Sequence, residues 1–136
     1  MERIYCPINI GNSHWTLLVI YIQSKKICYY DSMVAYGRPE RYMEGALQWI
    51  QDEARTKGGP PNFDIKLWTT VKSPANLPQQ SDCNSCGVFA SAFAALLTDD
   101  IPLNNFTQDC ANFFRRKIFL DILNLRICLP DNPSKS

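Results

Sequence analysis

The chain has 136 residues, 46% hydrophobic and 20% charged, with a formal net charge of +1. That length supports one domain with one real core, and near-neutrality removes the electrostatic case for nucleic acid or an anionic membrane as a partner. The longest apolar runs, Trp15 to Ile22 and Val88 to Leu97, are too short to span a bilayer, and Met1-Glu2-Arg3 leads into a strand pattern rather than a signal peptide.

In chain order, Arg3 to Ile10 predicts a strand, and Pro7 argues for an edge position or an irregularity. After the Gly11-Asn12-Ser13 turn, His14 to Ile22 is apolar on both alternating faces, as a central strand requires. A short polar turn, Gln23 to Lys26, leads to a return strand over Ile27 to Ser32, which makes an antiparallel hairpin. Arg38 to Lys57 carries Met43, Ala46, Leu47, Ile50 and Ala54 at helical spacing, and Gly58-Gly59-Pro60-Pro61 stops it. Asp64 to Lys72 alternates Ile65, Leu67, Thr69 and Val71 on one face and predicts a further strand.

The loop Ser73 to Ser85 then leads into a helix from Cys86 to about Asp99, rich in alanine and apolar residues. A last helix starts near Thr107 with Cys110, Phe113, Phe114, Ile118, Ile122 and Leu125, and Pro130 to Ser136 is a polar tail. The expected fold class is α+β: a central, mostly antiparallel sheet flanked by helices, with Cys86 at a helix N-terminus. Residues 1–130 are expected to form one domain and 131–136 a disordered tail.

Six cysteines could signal disulfides, but Cys6, Cys28, Cys110 and Cys128 sit inside apolar periodic segments. Buried free thiols explain those four better, which points to a reducing compartment and an intracellular, nuclear or cytoplasmic protein. Cys86 differs, because unpaired N–H groups and the helix dipole favour a thiolate at a first helical turn.

A thiol attacks a carbonyl efficiently when a base takes its proton, a third group orients that base, and donors stabilise the oxyanion. The hairpin supplies two of these. His14 opens one strand and Asp31 closes its partner, so the protein's sole histidine and an aspartate must be close in space. Gln80, six positions before Cys86, is the candidate side-chain donor to an oxyanion hole, together with the Cys86 backbone N–H. Each residue alone has a plainer explanation: a structural histidine, a strand-ending aspartate, a polar loop glutamine. Jointly, with the hairpin geometry, the catalytic reading is the better one. Cys83-x-x-Cys86 could also be half a zinc site or a redox pair, but the other cysteines are scattered singly and no second histidine exists. A thioredoxin-type dithiol would follow directly on a strand, where this chain has a long polar loop. No metal or other cofactor is expected.

In this order the residues resemble the ubiquitin-like-protein-specific cysteine proteases, the SUMO/sentrin protease family related to the adenovirus protease. The resemblance rests on Pro7-Ile8-Asn9, His14-Trp15, Tyr29-Tyr30-Asp31-Ser32, Trp49 and Gln80 to Cys86-Gly87-Val88-Phe89. Phe106-Thr107-Gln108-Asp109 and Arg115-Arg116 look like the family's C-terminal helix. The order His, Asp, Cys separates the chain from papain-like enzymes. The resemblance implies a cysteine-protease core and cleavage after the C-terminal Gly-Gly of SUMO or a related modifier. It implies His14, Asp31 and Cys86 as the triad, Gln80 at the oxyanion hole, and Trp15 as cover of the channel that holds the glycines.

Two features depart from the pattern. Ser85-Cys86-Gly87 stands where most members have Asp-Cys-Gly. The chain also begins almost at the His-Trp strand, so the N-terminal part of the usual domain, with helices and a further channel Trp, is expected to be missing. Alternatives from other classes are a catalytically silent module that binds a modifier or partner, and an acyltransferase using the same triad.

Overall fold

The computed structural model describes residues 2–33 and 37–125. The first three strands are β1 (Arg3–Ile10), β2 (His14–Tyr21) and β3 (Lys26–Tyr30). Helix α1 (Pro39–Thr56), strand β4 (Thr69–Val71), helix α2 (Cys86–Thr98) and helix α3 (Gln108–Leu123) follow. The sheet order is β1-β2-β3-β4; the first two pairings are antiparallel, and β3 pairs with β4 in parallel.

β1 is an edge strand, and Pro7 lies in it opposite Leu17, as a residue without an N–H permits. β2 is central, and its stretch from Thr16 to Ile20 is buried on both faces, which accounts for its unbroken apolar run. Leu17 and Val19 join Cys28 and Tyr30 beneath α2, where Phe89, Phe93 and Phe106 complete the cluster. Phe89 and Phe106 meet edge to face at 5.1 Å, a favoured arrangement of ring quadrupoles. On the opposite face Leu18, Ile20, Ile27 and Tyr29 pack under Met43 and Ile50 of α1. The layers are therefore helix, sheet, helix, an α+β fold with α2 more deeply buried than α1.

Pro39 sits in the first turn of α1, where its missing N–H costs nothing. Lys57 caps the helix, and Gly58 follows with a φ of +68°, the left-handed conformation that glycine adopts without strain. Arg3 pairs with Asp100 and with the Leu97 carbonyl, tying the edge strand to the end of α2.

Two expectations need correction. The strand expected over Asp64 to Lys72 is confined to Thr69–Val71; Ile65–Leu67 is a 3-10 turn. Asp64 caps that turn, its carboxylate accepting the Lys66 N–H, so a local side-chain bond overrides the alternating pattern. Of the four cysteines read as buried, Cys28 is buried, but Cys6 and Cys110 are only partly so. Cys128 and the tail lie outside the described residues. The helical apolar pattern of α3 also extends beyond the core: Phe113 is 69% exposed, Ile122 67% and Leu125, just past the helix, 94%. Among the described residues no helix is long and apolar enough to cross a membrane.

Candidate active site

The first half of the site lies on the sheet. Ile10 pairs with His14 and Leu17 with Tyr30, so Asp31, one residue beyond Tyr30, emerges beside the start of β2. His14 Nε2 lies 2.7 Å from Asp31 Oδ1, and the two residues are only 3% and 5% exposed. The proximity expected from the hairpin is present. Asp31 Oδ1 also accepts the Met33 N–H at 2.8 Å, which fixes the carboxylate from its far side. With Nε2 donating to the carboxylate, a neutral ring carries its lone pair on Nδ1. Such a buried imidazole–carboxylate pair can accept a proton and return it. Nearby, burial pushes the Tyr29 hydroxyl up to about 12, so it stays neutral beside this pair.

The second half is the loop and first turn of α2. Cys86 is the first residue of the helix and is buried, with Ser85 as N-cap. The two halves meet at the neighbouring residues: a Cβ added to Gly87 would stand 3.5 Å from Trp15 Cδ1. The residue after the histidine thus lies beside the residue after the cysteine, at a distance that would bring even a methyl group at Gly87 into ordinary van der Waals contact with the indole. Trp15 is 43% exposed, so it lies at the rim rather than in the core. It borders a groove of about 480 Å³ between β1 and α2, alongside Tyr5, Pro7 and Ala90.

Gln80 is tied to Ser32, the residue after Asp31. Its backbone N–H donates to the Ser32 carbonyl at 2.9 Å, and its Oε1 accepts from the buried Ser32 hydroxyl at 2.6 Å. Its Nε2 donates to the Asp82 carbonyl at 2.6 Å, which uses one of the two amide N–H donors. Gln79 reaches back to the Asp31 carbonyl at 3.1 Å, so three hydrogen bonds stitch the loop to the two residues that follow β3.

Sequence reasoning missed the side chains that shape this loop. Asp82 Oδ1 accepts the Ser85 N–H at 3.0 Å, and Oδ2 accepts the Ser85 hydroxyl at 2.6 Å. Gln108 and Arg115 of α3 both reach the Ser85 hydroxyl at 3.1 Å. The Ser85 hydroxyl holds the Asp82 carboxyl below the usual carboxylate range, helped by two backbone N–H groups and the charge of Arg115. A signal was available: Asp82 lies three residues before Ser85, the spacing of a local turn, and Gln108 and Arg115 are seven apart on one helix face.

The thiols differ in setting. Burial pushes Cys6 and Cys28 up, away from reactivity. Cys110 is lowered by the Thr107 hydroxyl at the N-cap of α3, which makes it the thiol to watch in any labelling experiment. No group of three or more His, Cys, Asp or Glu side chains suited to a metal ion occurs among the described residues.

Comparison with known proteins places the chain in a family. Residues 1–129 match the Ulp1 protease family, C-terminal catalytic domain. Sentrin-specific protease 2 of Homo sapiens is 37% identical over 129 residues, covering 93% of this chain and 21% of that protein. The Chaetomium thermophilum Ulp1-like SUMO protease catalytic domain superposes with a TM-score of 0.78 at 26% identity, over 95% of this chain and 48% of that one. The C-terminal Ulp1 protease domain in complex with Smt3, the yeast ortholog of SUMO, gives 0.74 at 25% identity, over 91% and 53%. The chain therefore spans about a fifth of the length of the human relative and about half of each solved domain. With a match running from residue 1 to residue 129, and solved domains of that family sharing its fold, the chain belongs to the Ulp1 protease family.

Proposed function

We propose that this chain is a cysteine peptidase acting after the C-terminal Gly-Gly of SUMO or a related ubiquitin-like modifier, on precursors or isopeptide conjugates. Cys86 is the nucleophile, His14 the base, and Asp31 the group that orients it. The Cys86 sulfur bonds to the carbonyl carbon of the last glycine while its proton passes to His14. The Gln80 amide and the Cys86 backbone N–H receive the oxyanion. Collapse of the tetrahedral intermediate expels the amine, which takes the proton from His14. Water, deprotonated by the same imidazole, then hydrolyses the thioester and restores the thiol. Trp15 covers the passage for the two glycines, where a broad indole excludes larger side chains.

The observation that carries this reading is the buried 2.7 Å His14–Asp31 pair at the strand end that Trp15 brings against the first turn of α2. The modifier class rests on the relatives: a neighbouring structure is the Ulp1 domain in complex with Smt3. The deciding experiment incubates the chain with SUMO, NEDD8 and ubiquitin probes bearing a C-terminal electrophile. A mass shift with the SUMO probe, mapped to Cys86 and lost in Cys86→Ala, is the expected result. Adducts confined to Cys83 or Cys110 overturn the site. Modifier binding without any adduct indicates a silent binding module instead.

A further inference from the structure

We infer that Asp82 is a positioning residue that sets the nucleophile and the oxyanion donor in one frame; the inference rests on the peptidase reading above. Asp82 contacts both parts. Its backbone carbonyl receives the Gln80 Nε2 at 2.6 Å, which aims the amide. Its carboxylate receives the Ser85 N–H and hydroxyl, which fixes the residue immediately before Cys86. One residue thereby ties Gln80 to the turn that presents the thiol.

The clamp is closed on every side. Oδ1 accepts the Asn84 N–H at 3.3 Å as well as that of Ser85, and Oδ2 accepts Gln108 Nε2 at 3.0 Å as well as the Ser85 hydroxyl. Ser85 is 0% exposed, and a hydroxyl has one donor and two acceptor sites. All three are used: it donates to Asp82 and accepts from Gln108 and Arg115. Arg115 also donates to the Asn84 carbonyl at 3.1 Å, and Gln108 Oε1 accepts the Ser81 N–H at 2.9 Å. The loop is thus bolted to α3 at residues 81, 82, 84 and 85, leaving the turn little freedom. A buried polar network of this kind is stiff only while each member keeps its partner. Ser85 contributes no cap bond to α2; its hydroxyl serves the clamp instead.

The consequence is kinetic. Misplacing a reacting group by about 1 Å costs roughly 10²-fold in rate; the Asp82 carboxylate holds the turn that carries the thiol, while its carbonyl, which Asp82→Ala retains, holds the Gln80 amide. Asp82→Ala is expected to lower kcat by about 10²-fold, with KM within about twofold, when rates are expressed per site titrated with the SUMO electrophile probe. Titration removes any contribution from a smaller folded fraction, which is all that a merely structural role would change. Asp82→Asn keeps the shape and the acceptor for Ser85 N–H and guards against loss of folding; it is expected to recover at least about tenfold over Asp82→Ala. Amide hydrogen exchange at Ser85 is expected to speed up in Asp82→Ala and not at core positions of β2. An unchanged kcat per titrated site in Asp82→Ala, or equal kcat in the Ala and Asn variants, overturns the assignment while leaving the peptidase reading intact. A wild-type chain inert to every probe overturns both.

Discussion

The two halves of the site are held by different means. His14 and Asp31 are separated by 17 residues of a hairpin, and the backbone ladder of β2 and β3 places them. Gln80, Asp82 and Ser85 belong to a loop without regular structure, and side-chain hydrogen bonds to β3 and α3 place them. A ladder survives the loss of any one side chain, because its bonds are made by main chain. A side-chain clamp does not. Substitutions in the sheet half should therefore remove chemistry without disturbing geometry, whereas substitutions in the loop half should disturb geometry as well.

The sharpest test of that contrast is His14→Ala. Triad members act as a unit, so turnover on a modifier–amide substrate is expected to fall about 10⁴–10⁶-fold. The circular dichroism spectrum should be unchanged, since the ladder remains. A His14→Ala protein with wild-type turnover would remove this residue from the mechanism. Asp31→Asn leaves a hydrogen-bonding group in place and is expected to cost less, about 10³–10⁴-fold.

In the loop half, on the proposed mechanism, Gln80→Ala removes a donor to charge that develops only in the transition state. The expected loss is about 10²–10³-fold in kcat with KM nearly constant. Gln79→Ala is the companion measurement: it removes the bond to the Asp31 carbonyl, and one such bond is worth about 1 kcal/mol, hence less than about tenfold. Equal losses from the two variants would mean that general loosening of the loop, and not a positioned amide, sets the rate.

Trp15 stands where the halves meet. At 43% exposure its loss should cost well under the roughly 3–5 kcal/mol of a buried tryptophan, so Trp15→Ala should melt near the wild-type temperature. Gly-Gly tails should be processed poorly, and Ala-Gly tails should be tolerated relatively better. A large fall in melting temperature with unchanged tail preference would return Trp15 to a packing role.

The smallest expected effect is in acid. The Asp82 carboxyl is lowered in the folded state, so its stabilisation is present above the unfolded aspartate value of about 3.9 and is lost as pH falls through the lower folded value. The difference in melting temperature between wild type and Asp82→Asn should hold steady above about pH 4 and shrink below it. A difference that grows on acidification would contradict the sign of the shift.

Much of this protein was legible in one dimension. The central strand, its hairpin partner and the adjacency of His14 to Asp31 follow from alternation, a short turn and the fixed period of a strand, all local rules. The helix beginning at Cys86 was equally readable, because an apolar alanine-rich run after a polar loop has few other solutions. The segment Asp64 to Lys72 misled because short alternating patterns do not reveal a side-chain cap; Asp64 bonding to Lys66 N–H turned half of it into a 3-10 turn. The apolar period of α3 was real, yet periodicity states that a helix has a stripe and not what covers it, and Phe113 and Ile122 lie open. The clamp on Ser85 was the least visible. Asp82, Gln108 and Arg115 come from a loop and a helix more than twenty residues apart, and their meeting depends on how α3 packs beside α2. Sequence by itself determined the hairpin strands, the helices and the pairing of His14 with Asp31, since backbone periods act over neighbours. Tertiary packing alone decided which polar side chains converge on the turn before Cys86, because a hydrogen bond across that distance exists only once the helices have docked.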